Sequence, residues 1–165
     1  MIYQSPVGLL KINFDNDGVY EIIYCDEETS GSTAKDEVET SQENTKFSDS
    51  IRQQFDEYFS GKRLEFDFPF HQRGTVFQKQ VWAQLVKIPY GSTISYLQLS
   101  KRIDNLKAIR AVGTANGRNN LSIVVPCHRV IGSNGNLTGY AGGLWRKQWL
   151  LEHESKFAHG TRLLF

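Results

Sequence analysis

Ser95-Tyr96-Leu97-Gln98-Leu99-Ser100-Lys101-Arg102-Ile103-Asp104-Asn105-Leu106-Lys107-Ala108-Ile109-Arg110-Ala111-Val112-Gly113-Thr114-Ala115-Asn116-Gly117 is the stretch that decides the architecture of this chain. Ser95 and Gln98 have the spacing of a capping box, in which each side chain accepts a hydrogen bond from the other residue's backbone N–H. A short helix is expected from there to about Arg102. Asp104-Asn105 supplies a tight turn, and a second helix is expected over roughly residues 106–116, ended by Gly117. Two short helices joined in this way suit a helix-turn-helix. The second carries Lys107 and Arg110 beside the small residues Ala108, Ala111, Gly113 and Ala115, so little bulk would keep it from a DNA groove. Small residues serve close packing inside a protein equally well, so the segment alone favours DNA only slightly.

Immediately upstream the same cap recurs as Thr75 and Gln78. Phe77, Val81, Trp82, Leu85 and Ile88 follow on one helical face, and Pro89-Tyr90-Gly91 ends it. Before residue 70 the patterning differs. Two partly alternating runs, Val7 to Phe14 and Gly18 to Tyr24, flank the turn residues Asn16-Asp17-Gly18 and read as a hairpin. Residues 26–46 are acidic, rich in Ser and Thr and short of large apolar side chains, the composition of a mobile loop. Ile51, Phe55, Tyr58 and Phe59 recur at helical spacing, with Gly61 as a stop. Leu64, Phe66 and Phe68 alternate with Glu65 and Asp67 and suggest one more strand, ended by Pro69. The fold class expected is α+β, with a small mixed-sheet N-terminal domain over 1–70 and a helical C-terminal domain over 71–165.

Charge follows the same division. The 165 residues carry a formal net charge of +1, yet residues 1–70 hold 6 Lys and Arg against 15 Asp and Glu, and residues 71–165 hold 13 against 3. The second half therefore suits a polyanion, or else the two halves attract one another. No apolar run approaches the ~20 residues of a membrane helix, and the first ten residues lack the pattern of a signal peptide. A cytoplasmic, monomeric protein is the expectation. Two cysteines, Cys25 and Cys127, are too few for a disulfide framework, and they and the four histidines lack the spacing of a zinc site.

The chemistry concentrates in Leu121-Ser122-Ile123-Val124-Val125, expected as a buried strand-like run, and Pro126-Cys127-His128-Arg129-Val130 after it. Proline constrains the backbone that presents the thiol. A cysteine attacks as thiolate, and at an ordinary pKa of ~8.5 only a few per cent is ionised at neutral pH. Cys127 therefore needs a base. His128 is adjacent, and because neighbouring side chains diverge, a bridging water suits it better than direct contact. The acid to orient its imidazole must come from Asp104, Glu152 or Glu154, the only three after residue 70. Gly139-Tyr140-Ala141-Gly142-Gly143 is a glycine-rich loop that permits close approach of a ligand, and it lacks the pattern of a nucleotide-phosphate site.

Taken together, Thr75-Val76-Phe77-Gln78 to Trp82, Ile88-Pro89-Tyr90-Gly91, Ser95-Tyr96, Arg110-Ala111-Val112-Gly113, Val125 to Val130, and Gly139-Tyr140 through Trp149 to Glu154 keep one order and spacing over about 80 residues. In this the chain resembles the C-terminal domain of the O6-alkylguanine-DNA alkyltransferases. The first 70 residues match loosely, at Ser5-Pro6-Val7-Gly8. The resemblance implies a ribonuclease-H-like N-terminal domain packed on a C-terminal domain with a winged helix-turn-helix. It implies Cys127 as alkyl acceptor, His128 as its base through a water, and Glu154 as the acid that orients His128. Asn119 would tie the helix-turn-helix to the active-site loop. Tyr96 would crowd the target phosphate and bond the flipped guanine, and Arg110 would fill the vacated stack. Val130, Tyr140 and Ala141 would line the guanine pocket, and Lys107 and Ala111 would lie along the DNA. Position 141 is serine in some relatives and alanine here, and the zinc ligands of some N-terminal domains are missing. The implied partner is double-stranded DNA carrying O6-alkylguanine, with O4-alkylthymine a second substrate. No cofactor is implied, and transfer is irreversible and single-turnover. Three rivals compete: an alkylguanine-binding protein that only flags damage, a cysteine hydrolase and a helix-turn-helix regulator.

Overall fold

A computed structural model describes residues 1–25 and 42–160. The described chain divides into two compact units, Met1–His71 and Gln72–Phe165. In the first unit β1 (Ile2–Ser5), β2 (Gly8–Asp15) and β3 (Gly18–Cys25) form an antiparallel sheet in the order β1-β2-β3. The hairpin turns where expected, at Asn16-Asp17, with Gly18 opening β3. Gly18 has φ 130, and a Cβ there would lie 2.3 Å from the Pro69 carbonyl oxygen, so only glycine fits. Val19 donates to that carbonyl and accepts from His71, an isolated parallel bridge beside a sheet that is antiparallel rather than the mixed one expected.

Helix α1 (Gln42–Phe59) begins nine residues before Ile51, where the helical spacing was expected to begin. The expected loop over 26–46 therefore falls partly on this helix, and its residues 26–41 lie outside the described ones. Phe47 explains the early start: one turn before Ile51, it meets Phe14 edge-on at 5.2 Å and extends the apolar stripe. Ile51, Phe55 and Tyr58 are buried with Tyr3, Leu10, Ile12 and Ile22. Tyr3 also donates its hydroxyl to Asp56 at 2.7 Å.

The strand expected at Leu64–Phe68 is absent. The Gln54 side chain takes the Asp67 N–H at 3.0 Å and donates to the Asp67 carboxylate, so this backbone bonds a side chain instead of a neighbouring strand. Phe66 and Phe68 pack on Phe55 all the same, at 4.9 and 6.4 Å.

The second unit is helical: α2 (Val76–Leu85), α3 (Tyr96–Arg102), α4 (Ile109–Gly117) and α5 (Leu144–His159). Both capping boxes form. Gln78 N–H donates to Thr75 at 3.1 Å and Thr75 N–H returns a bond of 2.9 Å. The Ser95–Gln98 pair does the same at 3.1 and 2.8 Å. Each cap contributes about 1 kcal/mol. The second helix of the helix-turn-helix opens as a 3-10 turn, Leu106–Ala108, and Gly117 is its last residue. Trp82 ties α2 to α4 by donating its indole N–H to the Ala115 carbonyl at 2.9 Å. A two-residue parallel ladder joins β4 (Ile94–Ser95) to β5 (Val130–Ile131), and so brings the start of α3 beside the end of the Cys127 segment.

Candidate active site

Leu121–Val125 is buried, apart from Val124, but it is a turn and not the expected strand. Asn119 dictates this. Its Oδ1 accepts the Leu121 N–H at 3.0 Å and its Nδ2 donates to the Val125 carbonyl at 2.7 Å, while Val125 N–H closes on the Leu121 carbonyl at 2.9 Å. Ile123 is forced to φ 74, a region β-branched residues avoid at a cost of about 1–3 kcal/mol. Pro126 follows at φ −83 and ψ 64, and Cys127 N–H reaches back to the Val125 carbonyl at 2.8 Å. That is an inverse γ-turn. Cys127, His128 and Arg129 then make one turn of 3-10 helix, and Cys127 is 6% exposed at its start.

The two residues after Cys127 belong to a buried ionic cluster. His128 Nε2 is 2.8 Å from Glu154 Oε1, and both residues are fully buried. Arg129 grips the same carboxylate with Nε at 2.8 Å and its other amine at 2.9 Å, and donates to the Ile88 carbonyl at 2.6 Å. Gly91 N–H adds a bond to Glu154 at 3.3 Å. Burial opposes the charge on Glu154, but His128 and Arg129 together hold the carboxyl well below its ordinary range. Burial pulls His128 down, against the pull of Glu154, so the imidazole is neutral at neutral pH. His128 Nδ1 is buried and makes no hydrogen bond among the described residues. Burial pushes the Cys127 thiol up, while a hydrogen bond with Asn119 and the charge of Lys147 act the other way.

Gly91 can be tested directly. Its φ is 74, and a Cβ there would meet the Ala158 Cβ at 2.4 Å. Gly91→Ala is expected to lower stability by about 1–3 kcal/mol, read as a lower urea midpoint at unchanged slope.

The other expected residues fall in two places. Tyr96, half-buried, donates its hydroxyl to the Thr138 carbonyl at 3.1 Å; burial pushes its pKa up and the charge of Cys127 adds to this. Val130 is fully buried beside Ile94. Arg110 and Ala111 are exposed on α4, with Lys107 exposed in the turn before it. Tyr140 is half-buried and Ala141 exposed in the loop before α5. Three residues went unassigned in the sequence. Arg129 had a signal, since an arginine beside Cys127 and His128 in a half with three acids needs one of them. Asn116, whose Nδ2 reaches the Cys127 carbonyl at 3.4 Å, and Lys147 had none.

Among the described residues no group of three or more His, Cys, Asp or Glu is placed to hold a metal ion, and no helix is long and apolar enough to cross a membrane.

Comparison with known proteins places both halves of the chain in one family. Residues 1–72 match the family model "6-O-methylguanine DNA methyltransferase, ribonuclease-like domain", and residues 76–156 match its DNA binding domain. A methylated-DNA–protein-cysteine methyltransferase of Methanosarcina mazei is 45% identical over 93% of this chain and 94% of its own. The constitutive Bacillus subtilis protein of that name is 43% identical over 84% of each chain. The crystal structure of Mycobacterium tuberculosis OGT in complex with DNA superposes with a TM-score of 0.79 at 36% identity, over 94% of this chain and 92% of its own. With both halves matched by family models and a relative 45% identical over most of its length, the chain belongs to the methylated-DNA–protein-cysteine methyltransferase family.

Proposed function

We propose that this protein repairs O6-alkylguanine in double-stranded DNA by moving the alkyl group onto Cys127 Sγ. The observation that carries the reading is the buried His128–Glu154 pair of 2.8 Å, its imidazole on the residue that follows a nearly buried cysteine. Glu154 fixes the imidazole through Nε2, which leaves Nδ1 to draw the thiol proton through a bridging water. The M. tuberculosis relative was crystallised with DNA, and 13 Lys and Arg against 3 acids in residues 71–165 suit the same polyanion. The C-terminal unit, on this reading, binds DNA and carries the chemistry.

The O6 atom of guanine is closed within the base stack, so the nucleotide must swing out at a cost of a few kcal/mol. Arg110, exposed on α4, would fill the gap, with Lys107 and Ala111 along the groove. Val130, Tyr140 and Ala141 would receive the base, and Asn119 would hold the turn that presents Cys127. The Sγ–C bond forms, the C–O6 bond breaks and its electron pair leaves on guanine. Tyr96, kept protonated by its burial, supplies the proton the base takes up, and the one His128 removed from the thiol restores the balance. O4-alkylthymine presents the same linkage. The product is a thioether, a very poor leaving group, so each molecule acts once. A cytoplasmic setting, where thiols stay reduced, suits such chemistry.

The test is to weigh the intact protein after incubation with a duplex carrying O6-methylguanine. A gain of one methyl mass on the Cys127 peptide, ending at one equivalent, is expected. Repeated turnover, or methylation at Cys25 alone, would reject the reading.

Arg110→Ala is expected to slow repair of the duplex at least about tenfold more than reaction with free O6-benzylguanine. Only the duplex has a gap to fill, and tenfold corresponds to about 1.4 kcal/mol of the extrusion cost. Equal losses on both substrates would remove Arg110 from that role.

A further inference from the structure

The loop Gly139-Tyr140-Ala141-Gly142-Gly143, read above as one wall of the guanine pocket, is rich in glycine, and Gly139 and Gly143 stand at φ 51 and φ 89. Such a backbone has many conformations open to it. A bond from Gly143 N–H to the Tyr140 carbonyl at 2.9 Å removes only part of that freedom. Before the loop, the Thr138 carbonyl accepts from the Tyr96 hydroxyl at 3.1 Å and from Lys147 at 3.0 Å. After it, the hold comes from the first turn of α5. Arg146 Nη1 donates to the Gly142 carbonyl at 2.7 Å, a charge-assisted bond and so stronger than a neutral one. Its guanidinium carbon lies over the Trp145 ring, 4.6 Å from the centroid. The indole in turn lies against Gly143, with Cδ1 and Nε1 at 3.6 and 3.7 Å from where a Cβ would stand. Trp145 is 55% exposed, so burial in the core does not account for it, and its ring is spent on the arginine and the glycine.

We infer that Arg146 is a positioning residue for the guanine pocket: its guanidinium, stacked on Trp145, latches the Gly142 carbonyl and so fixes Tyr140 and Ala141 where the base is received. The inference rests on the reading of residues 139–143 as a wall of that pocket. Arg146 needs to touch neither the base nor Cys127, since it acts on the loop. A loop that spends only a fraction of its time in the receiving conformation weakens apparent binding by that same fraction. The latch therefore works on capture of the base, ahead of the sulfur chemistry. It also explains why a glycine-rich wall can be selective: the glycines let the backbone come close to a ligand, and the arginine removes the freedom they bring.

Free O6-benzylguanine tests this without DNA. Benzyl uptake on Cys127 is followed by intact mass over a range of base concentrations, which yields a half-saturating concentration and a limiting rate constant. Arg146→Met keeps an apolar stem and removes both the bond and the charge. Its half-saturating concentration is expected to rise about tenfold, as for a loop receptive a tenth of the time, with the limiting rate constant nearly unchanged. Arg146→Lys keeps a donor without the planar stack and should fall between the two. Trp145→Ala leaves the bond and removes the ring, and a rise of about threefold is expected. A merely structural role would lower the folded fraction or the limiting rate and leave half-saturation where it is. A folded Arg146→Met protein with an unmoved half-saturating concentration would overturn the inference. Should that variant fail to fold, Trp145→Ala decides, and an unmoved value there overturns it equally. Wild-type methyl uptake from an O6-methylguanine duplex is scored on the same preparation. Uptake there beside an unmoved half-saturation removes only the latch, whereas no uptake removes the repair reading and the latch with it.

Discussion

Cys127→Ala is expected to take up no methyl group from a duplex carrying O6-methylguanine, under conditions in which wild type takes up one. The loss is complete because the acceptor atom itself is removed. Cys25, the other thiol, sits in β3 of the other unit, outside the His128–Glu154 cluster. DNA binding should survive. On the function proposed above, phosphate contacts from the basic half supply most of the affinity, and the substitution leaves all of those Lys and Arg in place. Intact mass and gel-shift measurements on the same samples therefore separate the two effects. Methyl uptake by the variant would show that another atom accepts the group. Loss of binding along with uptake would mean that the thiol supports the fold rather than the chemistry.

Glu154→Gln is expected to slow methyl transfer by roughly 10²–10⁴-fold, the usual contribution of a positioned general base. The amide cannot stabilise a protonated His128 as a carboxylate does, so the imidazole loses most of its pull on the thiol proton. Stability should fall as well, by about 3–5 kcal/mol, because Arg129 becomes a buried cation without its anion. Its side chain is 8% exposed and that of Glu154 is 0% exposed, so solvent offers little relief. The two losses can be told apart by adding Arg129→Met. The double variant should recover much of the stability, since the stranded cation is gone, and recover none of the transfer rate. Single-turnover rates and urea midpoints measure the two quantities. A single variant that transfers at the wild-type rate would show that Glu154 serves only as the partner of Arg129.

The parts of this molecule that were legible in its sequence are those whose cause is local. Each capping box is written in residues three apart, and both formed as expected. The hairpin at Gly18 rests on a turn that requires φ above zero. Where the cause lies elsewhere, local reading failed. Five residues from Leu121 look like a strand because they are apolar, yet the Asn119 side chain bends them into a turn. Leu64 to Phe68 alternate as a strand would, but Gln54, thirteen residues earlier than Asp67, takes the backbone bond. Helix α1 begins early because Phe47 finds Phe14 across the unit.

The chemical cluster divides in the same way. Cys127 and His128 are adjacent in sequence, so the pair could be read directly. Their acid lies 26 residues beyond His128, and three candidates stood open until the family resemblance singled out Glu154. Lys147 gave no signal at all, since a lysine on a helix is usually solvated. Its burial depends on which face of α5 turns inward, and that follows from packing rather than from spacing.

A ribosome makes Cys127 before it makes Glu154, and the acid belongs to the final helix of the described chain. On the function proposed above, any nascent chain stalled between the two positions would carry the thiol without the carboxylate that orients its base. The unfinished protein would thus hold an ordinary, slow-reacting cysteine, and a sulfur that this reading spends only once would be armed only after translation has passed residue 154.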